Sequence, residues 1–260
     1  MPPALNSDRE EPVAGGDELL VRVHASSVNP VDVFIAAGAL KGMAEYEFPV
    51  ILGRDYAGVV EQVGSSVSRY SAGDEVFGFL VHTNPAVREG AWAESIAVAA
   101  DNVAAKPRDL DFAHAGAAPL AGITALAAFD ALAPAEGETV LVVGATGGVG
   151  SFFVQLAANA GANVIAVALA EDRDYLLGLG VDHLVDRNAD VAAAVRNERP
   201  QGVDAILDVN AILDLVSQAP DTSLLAAGWP ACLTARRCWR RGGTLQRDGR
   251  GDADEPGAPC

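Results

Sequence analysis

Apolar residues follow different rhythms in different parts of this 260-residue chain. In the first third they alternate with polar ones. Glu18–Ala25 (ELLVRVHA) reads as a half-exposed strand, and Pro49–Val63 as a turn followed by a strand. Val76–Phe79 and Trp92–Val98 read as further strands, with Gly73-Asp74 and Glu89-Gly90 as turn signals. Ser26–Gly38 reads as a loop entering a short helix, and residues 1–18 as a loose polar lead. Short strands in succession predict a β-rich, barrel-like first domain over residues 1–112. Ala113–Leu132 is alanine-rich and helical, interrupted at Pro119 and Gly122, which predicts two helices meeting there. Beyond residue 139 the apolar positions form unbroken runs. Val140–Val143, Asn163–Ala168, His183–Val185 and Ala205–Val209 read as strands, with helical pattern over about Ser151–Ala160 and Leu176–Leu179. Unbroken runs suit strands covered on both faces, and their alternation with helices predicts a doubly wound parallel sheet over 113–221. Residues 222–260 have neither period and read as an atypical, disordered tail. No internal repeat is visible.

The stretch 139–170, TVLVVGATGGVGSFFVQLAANAGANVIAVALA, is a strand, a glycine turn, a helix and a strand. Gly144, Gly147, Gly148 and Gly150 follow the first strand at once, and Gly161 stands where the helix stops. Glycines there let a backbone approach a pyrophosphate, and the helix N-terminus offers N–H groups to it. The flanking strand and helix are the context that gives such a motif its weight. A linker does not sit between β-branched runs, and the turn glycines interrupt these 32 uncharged residues before a membrane span accumulates.

The net charge of −17, with Lys41 and Lys106 the only lysines, argues against general nucleic-acid binding. With neither a secretory signal nor a convincing span, a cytoplasmic protein without a membrane partner is expected. Cys232, Cys238 and Cys260 all lie in the tail, so the body of the chain has neither a disulfide scaffold nor a cysteine-based metal site. The tail holds six of the eighteen Lys and Arg residues, all arginine, and two of the three tryptophans. A short-chain dehydrogenase needs a tyrosine four residues before a lysine. Ala37 and Asn102 occupy those places, which excludes that mechanism.

Five blocks now carry a resemblance: residues 21–38 (VRVHASSVNPVDVFIAAG), 48–79 (FPVILGRDYAGVVEQVGSSVSRYSAGDEVFGF), 90–98 (GAWAESIAV), 119–126 (PLAGITAL) and the strand–turn–helix unit. In order and spacing, from about residue 18 to 218, the chain resembles the zinc-independent, zeta-crystallin-like quinone oxidoreductases of the medium-chain dehydrogenase/reductase superfamily. The resemblance implies an α/β protein: a GroES-like β-barrel domain followed by a Rossmann doubly wound sheet. Zinc-dependent members place a cysteine where Asn29 stands and a Gly-His-Glu where Gly53-Arg54-Asp55 stands, so no zinc is expected. His24, His82, His114 and His183 show no ligand-like spacing. The implied activity is hydride transfer from a reduced nicotinamide to a small-molecule quinone or enone, in which the protein mainly positions and stabilises developing charge.

Residue by residue, Ala145, Gly147 and Gly150 match the cofactor fingerprint and, with Gly144, Thr146, Gly148 and Val149, form the pyrophosphate turn. Thr124 matches a threonine near the nicotinamide, and Asn29 and Asp32 match polar residues facing nicotinamide and substrate. Phe34 replaces a tyrosine common in relatives. Arg54 is read either as a neighbour of that cleft or as a solvated surface charge. An acidic residue at the end of the second strand would bind a ribose 2′-OH. Ala168 stands there instead, and Arg173 follows, beside Glu171 and Asp172, so NADP(H) is expected over NAD(H). The resemblance fails between Gln218 and Gly228. A fifth and a sixth strand are missing, the Rossmann sheet is incomplete, and the edge strand through which the family dimerises is lost. The Arg/Trp/Cys/Gly/Pro-rich tail reads as out-of-frame translation of GC-rich DNA. A non-catalytic dinucleotide-binding protein and an inactive fragment are the alternative readings.

Overall fold

A computed structural model describes residues 9–38, 45–46, 49–80, 86–87 and 89–210. The chain divides into two compact units between Leu120 and Ala121. The division falls eight residues beyond the expected boundary at 112/113, because a helix at Phe112–Ala117 packs on the strands of the first unit. The tail expected over 222–260, and the positions where a fifth and a sixth strand and a dimer edge would fall, lie outside the described residues, as does His82.

The first unit contains β1 (Glu18–Ala25), α1 (Pro30–Ala37), β2 (Glu45–Tyr46), β3 (Asp55–Val63), β4 (Glu75–Phe79), β5 (Ala86–Val87), β6 (Ser95–Ala99), β7 (Ala104–Ala105) and α2 (Phe112–Ala117). Five strands form an antiparallel sheet in the order β6-β1-β3-β4-β7, and β2 pairs with β5. Leu19, Val21, Tyr56, Val60, Val76, Ile96 and Val98 are buried together as its core. The strand expected from Trp92 begins at Ser95, because Ala91 and Trp92 donate their N–H groups to Gly53 and Leu52 in a loop contact instead.

The second unit contains most of α3 (Pro119–Leu132), then β8 (Thr139–Val143), α4 (Gly148–Asn159), β9 (Asn163–Ala168), α5 (Arg173–Gly178), β10 (His183–Asp186), α6 (Val191–Glu198) and β11 (Ala205–Asp208). The helical stretch does break before Pro119, which opens α3. Gly122 lies inside α3 without interrupting it. The four strands among the described residues of this unit are parallel, in the order β10-β9-β8-β11. The unbroken apolar runs are explained by the sheet's two covered faces. Val140, Val142, Val164 and Ala166 pack with Ala125, Ala128, Phe153 and Val154 of α3 and α4. Leu141, Ile165, Val167 and Val185 pack with Val195 of α6. Beneath α6 an apolar cavity of about 200 Å³ is lined by Leu141, Val143, Val195, Val203 and Ile206. Among the described residues no helix is long and apolar enough to cross a membrane.

Candidate functional site

In the second unit the chemistry gathers at the carboxyl end of β8. Gly144 takes φ 86, a left-handed conformation that a Cβ would strain. The Gly147 N–H donates to the Gly144 carbonyl (3.1 Å) and closes the turn. Gly147 then caps α4 with extended backbone (φ −77, ψ 169), and Ser151 makes the first intrahelical bond, to the Gly147 carbonyl (2.9 Å). The N–H groups of Gly148, Val149 and Gly150 therefore fall in the first turn of α4, where no helical carbonyl precedes them. Thr146, Gly147 and Gly148 are exposed, whereas Ala145 and Gly150 are buried.

The glycines are there for different reasons. A Cβ on Gly150 would lie 2.1 Å from the Gly144 carbonyl oxygen and 2.8 Å from the Ala145 Cα, so α4 can approach the turn only without one. A Cβ on Gly147 would meet that oxygen at 3.5 Å, an ordinary contact. The protein itself does not need Gly147 to be bare, but a ligand resting on the exposed backbone would. The arrangement suits a phosphate: N–H groups at the positive end of a 12-residue helix, reached over bare glycine.

Ala168 closes β9 and is buried, with no carboxylate to offer a ribose. Arg173 opens α5, exposed, after Glu171 and Asp172. Sequence reasoning missed Arg187. Its N–H donates to the Ala168 carbonyl (3.0 Å), and its side chain is exposed. Nothing local marks this residue, because β10 brings it to Ala168 through parallel pairing of Asp186 with Ala168. Asp186 stands there too, its Oδ1 engaged by the Asn188 N–H (2.8 Å). Thr124 lies half-buried on α3.

The first unit holds a second polar cluster. Asn29 is the N-cap of α1, and Asp32 completes a capping box in which Oδ2 accepts from the Asn29 N–H (2.7 Å). The Asp32 Oδ1 accepts from the Gly53 N–H (3.2 Å), and the residue is 0% exposed. The structure corrects its expected place facing a substrate. Its carboxylate is spent on two backbone N–H groups, so it holds the start of α1 to the Gly53 turn. Of the two alternatives, the solvated surface charge is overturned for Arg54. It is buried, donating to the Glu89 carbonyl, with its charge opposite Asp32. Burial lowers its pKa, and the Asp32 and Glu89 carboxylates partly restore it.

Asp55, 0% exposed, joins this cluster from the first residue of β3. Its Oδ2 accepts from Ser27 Oγ (2.5 Å) and Asn29 Nδ2 (2.8 Å), and its Oδ1 from the Leu120 N–H (2.9 Å). Burial raises the pKa of both Asp32 and Asp55, and donated hydrogen bonds oppose the rise. Trp92, 40% exposed, donates from Nε1 to the Ser27 carbonyl (2.9 Å). Its ring occupies the space over Gly53 (φ 92), where a Cβ would lie 2.3 Å from Cδ1. Asn29 and Asp32 are thus brought together, with Ser27, Asp55 and Trp92 as partners that sequence reasoning missed. Position in the Gly-Arg-Asp triplet singled out Asp55 only as a counterpart of another residue. Its contacts are tertiary.

Two family models match the chain: the alcohol dehydrogenase GroES-like domain over residues 15–108, and the zinc-binding dehydrogenase domain over 148–228. A quinone oxidoreductase from Sus scrofa is 31% identical over 90% of this chain and 69% of its own length. A mitochondrial NAD(P)H oxidoreductase from Bos taurus is 32% identical over 74% of this chain, which spans only 52% of that relative. Among solved structures, an alcohol dehydrogenase superfamily protein from Novosphingobium aromaticivorans superposes with a TM-score of 0.71 at 34% identity, over 79% of this chain and 62% of that one. The antiparallel sheet of the first unit, the parallel sheet described in the second, the glycine turn and the kinship agree, and the chain belongs to the medium-chain dehydrogenase/reductase superfamily, among its quinone oxidoreductase-like members.

Proposed function

We propose that this chain binds NADPH at the Gly144–Gly150 turn and is an oxidoreductase that delivers hydride to a quinone or other conjugated carbonyl without zinc. One observation carries the reading: the first-turn N–H groups of α4 stand behind exposed, bare Gly147 and Gly148, while Gly150 locks the helix to the turn. The residues fit a dinucleotide. Gly148, Val149 and Gly150 would meet the pyrophosphate with N–H groups, Ala145 and Thr146 complete the turn, and Arg173 and Arg187 would meet a 2′-phosphate beside Ala168. Reduced nicotinamide supplies the hydride when bound.

The rest falls to the chain's own side chains. Asn29 is assigned to the substrate oxygen and Thr124 to the nicotinamide, while Asp32 supports Asn29 from beneath through its N–H. A quinone delocalises the charge it gains, so positioning and one aimed donor are sufficient protein contributions. A zinc ion does not fit the first-unit cluster. An amide stands for the thiolate, a buried guanidinium stands for the imidazole, and the remaining carboxylate is already occupied by three donors.

The test is titration of the purified chain with NADPH, followed by nicotinamide fluorescence with NADH as competitor, then turnover with 1,4-naphthoquinone. Saturable binding that prefers NADPH, with quinone-dependent oxidation, is the expected result. A folded chain that binds neither nucleotide would overturn it.

A further inference from the structure

The Asn29 amide is held by its nitrogen, while the Asp32 N–H donates to the Asn29 backbone carbonyl (3.0 Å) at the start of α1. The amide nitrogen lies 2.8 Å from Ser27 Oγ and 2.8 Å from Asp55 Oδ2, and those two oxygens are themselves 2.5 Å apart. Seen from Nδ2, the two acceptors are separated by only about 50°, whereas an amide's two N–H bonds diverge by about 120°. One N–H therefore serves both oxygens as a three-centre bond, and the second points out of the triangle. Asn29 is only half-buried, so that second N–H is within a ligand's reach.

The orientation is not a free choice. Asp55, fully buried and accepting from three donors, is an acceptor on every side. A flipped amide would set the Asn29 Oδ1 against the Asp55 Oδ2, a repulsive contact at a fully buried carboxylate. Asp55 reaches the amide from β3, twenty-six residues along the chain, and its other oxygen is fixed by the Leu120 N–H.

We propose that Asp55 is a positioning residue: by holding the Asn29 nitrogen inward, it aims the remaining Asn29 N–H at the substrate's carbonyl oxygen, where negative charge develops. This rests on the quinone-reductase reading above and adds to it the polarity of the contact. Asn29 donates and does not accept, so the site favours ligands that present a bare carbonyl over those that present a hydroxyl.

The experiment is a double-mutant cycle on the full chain with NADPH and 1,4-naphthoquinone. Asn29→Ala removes the donor and is expected to lower kcat about 100-fold with little change in KM. Asp55→Asn lets its new amide donate toward Asn29, which turns the amide over, and is expected to lower kcat by a similar factor. Combined, the two substitutions should cost no more than Asn29→Ala alone. Losses that multiply would show that Asp55 acts independently of Asn29 and would overturn the proposal, as would an Asn29→Ala variant with full kcat.

A second readout separates this failure from that of the parent reading. In ¹H–¹⁵N spectra of the wild-type chain, the two Asn29 side-chain protons should differ sharply, one of them exchanging slowly. Asp55→Asn should abolish the difference. Two equally fast protons in the wild type overturn the positioning claim whatever the enzyme does. Retained asymmetry in a chain that turns over no quinone would place the error in the assigned reaction.

Discussion

Gly150→Ala is the sharpest single change available in the second unit. The added Cβ would lie 2.1 Å from the Gly144 carbonyl oxygen and 2.8 Å from both the Gly144 carbonyl carbon and the Ala145 Cα, all of them backbone atoms. A comfortable carbon–oxygen contact needs about 3.3 Å, so helix and turn must separate by about 1 Å. Neither yields readily. Gly144 is set by its left-handed φ, and α4 is seated through Phe153, Val154 and Ala157, each 0% exposed. Overpacking of this kind costs about 1–3 kcal/mol, and the better helix propensity of alanine returns about 1 kcal/mol of it. Because the clashing atoms are all backbone, the upper end of that cost applies, and we expect a net loss of about 2 kcal/mol, read as faster amide hydrogen exchange in β8 and α4, together with NADPH binding weakened tenfold or more. Gly147→Ala is the control. Its Cβ meets the Gly144 oxygen at 3.5 Å and its φ is −77, so exchange in β8 and α4 should stay within about 0.5 kcal/mol of wild type. NADPH binding should still fall, because the methyl stands on the exposed face of the turn. Wild-type protection in Gly150→Ala would refute the packing argument. Wild-type NADPH affinity in Gly147→Ala would refute the placement of the pyrophosphate.

Three further outcomes follow from the same geometry. Arg173→Ala and Arg187→Ala should each weaken NADPH about tenfold and leave NADH unchanged, measured by competitive fluorescence titration; an equal effect on both nucleotides would remove the 2′-phosphate from the argument. Burial holds the Asp32 and Asp55 pKa values above the ordinary aspartate value in the folded chain, so the stability they contribute is fully present below about pH 3.9 and is lost as pH rises through their folded values. Urea midpoints of the first unit should therefore decline less steeply with rising pH in Asp32→Asn than in wild type, and an unchanged slope would contradict this. Asp111 is the opposite case: its Oδ1 caps α2 by accepting the His114 N–H (2.8 Å), and that bond lowers its pKa, so its contribution is present above the ordinary value and is lost as pH falls through the folded one. Asp111→Ala should lower the melting temperature at neutral pH and lower it less in acid, and an equal drop at both would contradict this.

What could be read from the chain was whatever is encoded locally. Val140–Val143, the glycine spacing and Asn163–Ala168 state a strand, a turn and a second strand within one short window, and each lies where it was read. The break before Pro119 was legible for the same reason: a ring without an N–H leaves little choice. The helix at Val191–Glu198 went unread although Asp190 accepts the Ala193 N–H as its cap, because in so short a helix only Val191 and Val195 are strongly apolar, and two positions do not establish a period. Strands of two residues, at Glu45–Tyr46, Ala86–Val87 and Ala104–Ala105, exist only through their partners. The candidate site divides along the same line. The turn was visible as glycines, but the burial of Asp32 depends on the Gly53 N–H twenty-one residues away, and Arg187 meets Ala168 only because two parallel strands lie in register.

The indole of Trp92 gives this cluster an optical signal of its own. It is the one tryptophan among the described residues, partly open to solvent, and its Nε1 is tethered to the Ser27 carbonyl, two residues from Asn29. Quinones quench indole emission by electron transfer at contact range. Replacing Trp229 and Trp239 with phenylalanine leaves a chain whose steady-state fluorescence reports on the Asn29 loop alone. Quenching by naphthoquinone in the absence of any nucleotide would then test the proposed quinone contact at Asn29 without any turnover.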